Sequence, residues 1–526
     1  MDLPPTEYRG NPARRLGAAL LALPPRRAAA LAVAGIAAFA ALKLLALAVT
    51  PLQLAGDEAH YWEWSRRLDW AYYSKGPVVA LLIAAGTAVL GDTELGVRVP
   101  ALVTGTLAGL VLFGFAWRLT GATLAFVGVL LLGSGLLFHT LGLGMTTDPP
   151  VLLFWVAGTW AAYEAVFGGR EPLWPVAGAL LGLATLGKST AAIVLPSIAV
   201  FLLLAPQRRH HLRSRWFAAG VAVHALALLP VLVWNLRHDW VNVAHNAGHV
   251  ASGLGSGLQL KYLPELLGAQ FGLVGPVLFP LLCWAGWRAL RVWRHDGDDR
   301  AGFLLAPVLP LALLCLAVAL TKRVYANWPA PLFVNGILVL LLLLARDVQL
   351  AHRLAGVLGA ALLANALLLL PAYPLAFGMR MGLPPERLPS KKLVGWRDLG
   401  VRVDAIRAEW AARGEPLAFV TNDRYGILSS IAFYAASRPP VYCARIGNRR
   451  MNQYDVWGGW EEQRGRNALI VQEGESVHAD LAGHFREIRP AAAPLVVTYA
   501  GAPLRTFHFF AGIDFDGRPP APPESY

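Results

Sequence analysis

Leu338-Val339-Leu340-Leu341-Leu342-Leu343-Leu344-Ala345 is the stretch on which the architecture turns. It lies in an apolar segment, 328–345, close to the roughly 20 residues that cross bilayer hydrocarbon as a helix. Leu180–Leu186 and Leu362–Leu370 sit in similar segments. The whole chain repeats the pattern: 526 residues, 56% hydrophobic and only 15% charged. Soluble domains carry about 25% charged residues, so this chain lacks the polar surface to cover itself in water. Disorder and a soluble enzyme are both excluded, and a polytopic membrane protein is expected.

Spans are assigned by apolar length and checked against charge. They fall at 28–50, 96–117, 122–139, 149–168, 173–187, 189–205, 216–234, 264–287, 302–320, 328–345 and 354–373, about eleven crossings. Pro77–Leu90 is too short to cross and reads as an interfacial or re-entrant helix. With the basic N-terminus (1–27) inside, the inner loops hold Arg118, Arg170, Arg208, Arg209, Arg213, Arg215, Arg288, Arg291, Arg294, Arg346 and Arg353. That is the positive-inside pattern, and it accounts for much of the net charge of +13 without a nucleic-acid surface. Arg14, Arg15, Arg26 and Arg27 precede a long apolar run with no convincing cleavage site, which reads as a retained first span. Cys283, Cys315 and Cys443 show no metal or disulfide spacing.

The outer side then receives the first loop (51–95), the turns at Asp148 and Lys188, residues 235–263, the turn Lys322–Asn327, and everything after about Tyr373. The chain thus divides into a membrane domain, 28–375, and a more polar portion, 376–526, entered through Pro384, Pro385 and Pro389. In that portion Trp396–Ala412 and Ile427–Ala436 have helical spacing, while Leu417–Val420, Val441–Ala444 and Ala468–Val471 read as strands. The expected fold is mainly α, with about eleven transmembrane helices, interfacial helices in the first outer loop, and a small C-terminal soluble α/β domain.

The first outer loop, Gly56-Asp57-Glu58-Ala59-His60-Tyr61-Trp62-Glu63-Trp64-Ser65-Arg66, concentrates the chemistry. Adjacent carboxylates beside a span are costly unless they face water or a cavity. An amphipathic interfacial helix explains the Trp and Tyr residues equally well. The threading adds Asp148, Lys188, Lys322, Arg323, Asn327 and Trp328 to the same face. Acids and bases gathered there suit transfer from a phosphate-linked donor. Bases neutralise the departing phosphate and a carboxylate takes the proton of an attacking hydroxyl.

The motifs Asp57-Glu58, Tyr61-Trp62, Trp64-Ser65-Arg66, Tyr73-Ser74-Lys75-Gly76-Pro77, Gly91–Arg98, Thr147-Asp148-Pro149, Gly187–Thr190 and Asn327-Trp328-Pro329 resemble the GT-C superfamily of membrane glycosyltransferases. Within it, the likeness is to the group holding protein O-mannosyltransferases and the bacterial lipid A aminoarabinose transferase. Tyr425, Phe433-Tyr434 and Arg450–Asp455 resemble the soluble domain of a bacterial subgroup. The resemblance implies an inverting transfer from a polyprenyl-phosphate (undecaprenyl-phosphate-like) carrier to a lipid A, glycolipid, glycan or protein acceptor. It places the protein in a bacterial inner membrane, with the site periplasmic.

Carried over, Asp57 is the general base, Glu58 orients the acceptor or holds a cation, and Asp148 is a second acid. Lys75 and Lys188 contact the donor phosphate, with Arg98, Lys322 and Arg323 as further candidates and Arg98 alternatively pairing with Glu94. His60, Tyr61, Asn327 and Trp328 are acceptor or sugar contacts. Many relatives place His-Pro-Pro where this chain has Lys75-Gly76-Pro77, so the donor sugar does not carry over. No cofactor is demanded. A divalent cation on Asp57, Glu58 and Asp148, with His60 or His139, remains open, since basic residues neutralise phosphate equally well. His245 and His249, followed by Gly253, Gly255 and Gly257, read as a mobile covering loop. Tyr425, Tyr454, Trp457 and Trp460 either stack on sugars or fill the small domain. A transporter or flippase would place its charges near the midplane of repeated halves, which this sequence lacks. A ligase or polymerase of lipid-linked glycans is the other alternative.

Overall fold

The computed structural model describes residues 11–254, 257–376, 384, 387–446, 451–499 and 501–518. Gly255, Pro385, Arg450 and the side chain of His249 lie outside the described set. The chain forms two compact units. One comprises Met1–Leu47, Val99–Val233 and His249–Ala372, and the other Ala48–Arg98, Trp234–Gly248 and Tyr373–Tyr526.

The first unit is helical. Its centre is the helix Ala330–Arg346, which contains the opening leucine run and is buried over Phe333–Leu344. A helix apolar on every side belongs inside a bundle. Its one buried amide is satisfied: Asn335 Oδ1 accepts from Trp155 Nε1 at 2.8 Å, and Asn335 Nδ2 donates to the Leu304 carbonyl at 3.1 Å. Small residues let the helices close up. A Cβ on Gly178 would lie 2.0 Å from the Gly220 carbonyl oxygen, so only glycine permits this crossing.

Six described helices are long and apolar enough to cross a membrane: Pro25–Val49, Glu94–Thr120, Asp148–Phe167, Arg215–Arg237, Asp299–Ala319 and Val348–Ala372. This makes a multi-pass membrane protein, in which several of the expected spans are shorter or bent helices. The expected span 264–287 is two helices, Tyr262–Leu273 and Leu278–Asp296, bent by 109°. The break falls at Gly275-Pro276, where Gly275 takes φ +123 and sits hard against Asn365. Asn365 in turn donates to the freed Val274 carbonyl at 3.0 Å, satisfying a backbone group that the break exposes. The expected span 122–139 likewise stops at Gly133 and resumes as the short helix Leu136–Thr140. The Ala122–Gly133, Ser189–Leu204 and Ala330–Arg346 segments are shorter apolar helices, as is Val78–Leu90, which is shorter than a span as expected.

The second unit carries a five-stranded mixed sheet in the order β2-β1-β3-β5-β4, with β1 Leu417–Asn422, β2 Val441–Cys443, β3 Asn467–Gln472, β4 Phe485–Tyr499 and β5 Ala502–Phe515. β1 runs parallel to β2 and β3, whereas β5 is antiparallel to β3 and β4. Helices Trp396–Ala412 and Tyr425–Tyr434 fall where the sequence spacing put them. One face of the sheet buries Phe419, Ile470, Phe485 and Phe515 around Trp460, which settles that tryptophan as core.

Candidate active site

The predicted site residues divide between the two units. Asp57, Glu58, His60, Tyr61, Lys75 and Arg98 belong to the second, and Asp148, Lys188, Lys322, Arg323, Asn327 and Trp328 to the first.

In the second unit, the helix Gly56–Ser65 opens on the two acids, and the structure gives them opposite fates. Glu58 is buried and reaches back to accept from the Ala55 amide at 2.9 Å. Its carboxylate also receives Arg98 in two parallel bonds of 2.9 Å, Nε to Oε1 and Nη2 to Oε2. Two further guanidinium hydrogens go to the Leu52 and Gln53 carbonyls, at 3.0 and 2.7 Å. Arg98, expected near a phosphate or paired with Glu94, instead locks Glu58 into the helix start. A bidentate buried pair of this kind fixes geometry.

Asp57, one residue earlier, is exposed and accepts from the Tyr425 hydroxyl at 2.7 Å. The first turn of a helix favours a carboxylate through its free amides. The two helices meet closely here, since a Cβ on Gly56 would lie 2.9 Å from the Gly426 Cα. Of the pair, Asp57 is therefore the carboxylate presented to solvent, with Tyr425 holding its orientation. The sequence offered Tyr425 as a motif, stacking or core residue, not as a partner of Asp57. No spacing rule links positions 368 residues apart.

Behind Asp57 runs a buried polar chain. His60 Nδ1 pairs with Ser429 Oγ at 3.0 Å, Ser429 with the Tyr454 hydroxyl at 2.8 Å, and Tyr454 donates to Glu63. His60 also packs against the rings of Tyr425, Tyr454, Trp457 and Trp64. Burial pushes the His60 imidazole down to about 3, and raises Glu63 above the usual carboxylate range. His60 is thus a support for the loop, lodged among rings. Tyr61 stands edge-on to Trp64 at 4.9 Å.

The linkage has a definite sign. Folding holds His60 neutral, so the unfolded chain binds the proton first below the ordinary value of 6.5. Stability from this group is present above about pH 6.5 and is lost as pH falls towards 3. Glu63 acts the other way, since its raised carboxyl favours the folded state at low pH and loses that effect as pH rises. The expected result is that His60→Gln flattens the loss of thermal stability between pH 7.5 and 5 relative to wild type. Equal slopes would contradict it.

Lys75 is half-buried in the loop Ala71–Pro77. Its carbonyl accepts from the Tyr72 amide at 2.9 Å, and Asn242 Nδ2 donates to the Tyr72 carbonyl at 2.6 Å. His245 packs on Tyr73 at 4.5 Å, so residues 234–248 brace the lysine's turn. The Tyr73 amide donates to Gln453 Oε1 at 2.6 Å, a further tie from the C-terminal portion. Trp457 lies beneath the Arg67 guanidinium at 4.5 Å.

In the first unit, Asp148 begins the helix Asp148–Phe167 and is buried. Lys188 Nζ donates to its Oδ1 at 2.8 Å and Asn327 Nδ2 to its Oδ2 at 2.6 Å. Three predicted residues therefore come together, as one charge-paired cluster in which Lys188 already has a carboxylate partner. Arg323 pairs with Glu265, and Trp328 packs on the bundle core. His139 stands edge-on to Phe39 at 5.1 Å, beside an apolar cavity of about 140 Å³ whose lining includes Lys43. Glu58 and Asp148 each hold a cation, whereas Asp57 is exposed and accepts from the Tyr425 hydroxyl.

Residues 74–234 match the family described as dolichyl-phosphate-mannose-protein mannosyltransferase. The lipid A galacturonosyltransferase RgtD of Rhizobium johnstonii is 36% identical over 299 residues, 55% of this chain and 60% of that protein. The undecaprenyl phosphate-alpha-4-amino-4-deoxy-L-arabinose arabinosyl transferase of Pseudomonas savastanoi pv. phaseolicola is 26% identical over 265 residues, 47% of each chain. The chain thus aligns with roughly half of the length of these curated relatives. Among solved structures, ArnT from Cupriavidus metallidurans bound to undecaprenyl phosphate superposes with a TM-score of 0.59 at 16% identity, over 93% of this chain and 99% of that one. The Archaeoglobus fulgidus oligosaccharyltransferase tethered to an acceptor peptide gives 0.54 at 13% identity, over 84% and 69%. The resemblance read from the motifs is to these same kinds of protein, and the fold is that of the ArnT structure.

Proposed function

We propose that this protein is an inverting glycosyltransferase, moving a sugar from a polyprenyl-phosphate carrier to a lipid acceptor of the lipid A class. The observation that carries the reading is the division of labour in the acid pair: Glu58 is consumed by Arg98, and Asp57 is left exposed on a rigid helix start. The site lies on the periplasmic side of a bacterial inner membrane, with the N-terminus cytoplasmic. In the reaction, the acceptor hydroxyl oxygen bonds to the anomeric carbon as the bond from that carbon to the phosphate oxygen breaks. The proton passes to Asp57, the electron pair leaves with the polyprenyl phosphate, and a single displacement inverts the centre. Lys75 stabilises charge on the departing phosphate. Asp148 and Lys188 hold their turns by pairing with each other, with Asn327 alongside, and Lys322 and Arg323 offer further cations. The relative of highest quoted identity is named for galacturonic acid, which makes a uronic acid the first donor sugar to test.

The experiment supplies purified protein with polyprenyl-phosphate-linked galacturonic acid or aminoarabinose, and lipid A, and reads the acceptor by mass spectrometry. One added sugar residue is expected. No mass increment with either donor, from folded protein, would overturn the reading, and vesicle uptake of donor without transfer would favour a transporter. Lys75→Ala removes one charge-assisted contact of about 1.5–3 kcal/mol, so the donor KM should rise about 10–100-fold while the acceptor KM holds. An unchanged donor KM would remove Lys75 from the phosphate.

A further inference from the structure

Among the described residues, one group of His, Cys, Asp and Glu side chains has metal-ligand spacing, and it includes none of the candidate site residues. Glu171, His210 and His211 each bring a ligand atom within 4.8 Å of the others. Glu171 opens the turn Glu171–Leu173, between the helices Asp148–Phe167 and Trp174–Gly187. The two histidines lie in Pro206–Arg213, between Val194–Leu204 and Arg215–Arg237. All of these belong to the first unit.

The arrangement is more specific than a loose charge cluster. His211 is only 4% exposed, and its Nδ1 stands 3.1 Å from Glu171 Oε1. Two ligands on one tetrahedral zinc, each about 2.0–2.1 Å from the metal, are separated by about 3.3 Å. The other carboxylate oxygen is held: Ser214 Oγ donates to Glu171 Oε2 at 2.6 Å, which turns Oε1 towards the imidazole. His210 stacks near His211, with ring centroids 4.2 Å apart. Its Nδ1 lies 3.1 Å from the Gln207 carbonyl, and since a carbonyl only accepts, that nitrogen carries the hydrogen. Nε2 is then the lone-pair nitrogen, and a backbone carbonyl behind a ligating histidine is a common second support.

The neighbouring guanidiniums are turned to other partners. Arg208 faces Asp299, Arg209 the Leu203 carbonyl, and Arg170 Glu164. Two imidazoles and one carboxylate suit zinc, with water completing the coordination.

We propose that Glu171, His210 and His211 form a zinc site that staples these two interhelical loops together. It stands independently of the glycosyl-transfer reading. The bound ion would replace the His211–Glu171 contact by three coordinate bonds across two segments that the Ser214–Glu171 hydrogen bond already ties.

The test uses full-length protein purified without a polyhistidine tag and stripped with chelator. Calorimetric titration with Zn²⁺ should show one site of micromolar affinity or tighter, and Co²⁺ should give the visible absorption of a tetrahedral centre. His210→Ala and Glu171→Gln are the chosen variants, because neither residue is buried, and both should abolish the saturable site. Ser214→Ala, which frees the carboxylate to swing, should weaken affinity about 10–100-fold. Trypsin gives a second readout: zinc should slow cleavage at Arg208, Arg209 and Arg213 in wild type and leave Glu171→Gln unaffected. No saturable zinc binding by wild type, or equal binding by all the variants, would overturn the proposal.

Discussion

Asp57→Asn should lower turnover by about 10²–10⁴-fold and leave the protein folded, inserted and nearly as stable as wild type. The amide keeps the shape of the side chain, and its oxygen still accepts from the Tyr425 hydroxyl. What disappears is the ability to take a proton. The stability cost is limited to the interaction of an exposed carboxylate with its helix start, about 0.3–1 kcal/mol. Measured kcat for sugar transfer, with thermal unfolding of the same preparation, separates the two effects. Near-normal turnover would refute Asp57 as base. The contrast with Glu58 sharpens the point, because Glu58→Gln strips the charge from a buried bidentate pair and should act chiefly on stability.

The second large effect belongs to the other unit. Lys188→Ala takes from the buried Asp148 carboxylate the cation that Nζ supplies, leaving Asn327 and Thr146 beside it. The side chains of the pair are 9% and 4% exposed, and Nζ lies 2.8 Å from Oδ1. Removing one partner of such a pair costs about 3–5 kcal/mol, because the stranded charge is worse than no charge. The double variant Lys188→Met with Asp148→Leu removes both charges and should recover most of that loss. A loss under about 1 kcal/mol in Lys188→Ala, by unfolding in detergent, would show that water reaches the carboxylate. Transfer activity should recover with stability in the double variant, since the pair acts by holding its turns; activity that stays low would assign it a part in the reaction itself.

Much of this molecule can be read from its residues, and the boundary of legibility is physical. Apolar length and loop arginines were enough for a multi-pass protein. The helices Trp396–Ala412 and Tyr425–Tyr434 and the strands β1 to β3 were visible in spacing. The long hairpin of β4 and β5 was not, because β4 carries charged residues, Pro490 and Pro494, and slips register three times against its partner. Period-two alternation cannot survive that. The Gly275-Pro276 break was written in the chain, yet apolar length alone ran straight through it.

In the candidate site, local motifs marked Asp57 and Glu58 as a pair but could not tell them apart. The difference lies in Arg98, 40 residues from Glu58, and in Tyr425, 368 residues from Asp57. Arg98 was instead offered a partner at helical spacing, Glu94. The structure shows Glu94 receiving the Tyr434 hydroxyl at 3.0 Å and the Arg397 guanidinium. Long-range partners are set by tertiary packing, which no window of sequence contains.

The unit holding Asp57 is assembled from Ala48–Arg98, Trp234–Gly248 and Tyr373–Tyr526. A ribosome adding about 5–20 residues per second needs about 15–55 s to travel from the end of the first stretch to the start of the last. Throughout that interval the nascent first loop has no Tyr425 to orient its acid and no Gln453 to receive Tyr73. The contacts that set this loop therefore form only when synthesis is nearly finished, and an incompletely translated chain left in the bilayer would lack them.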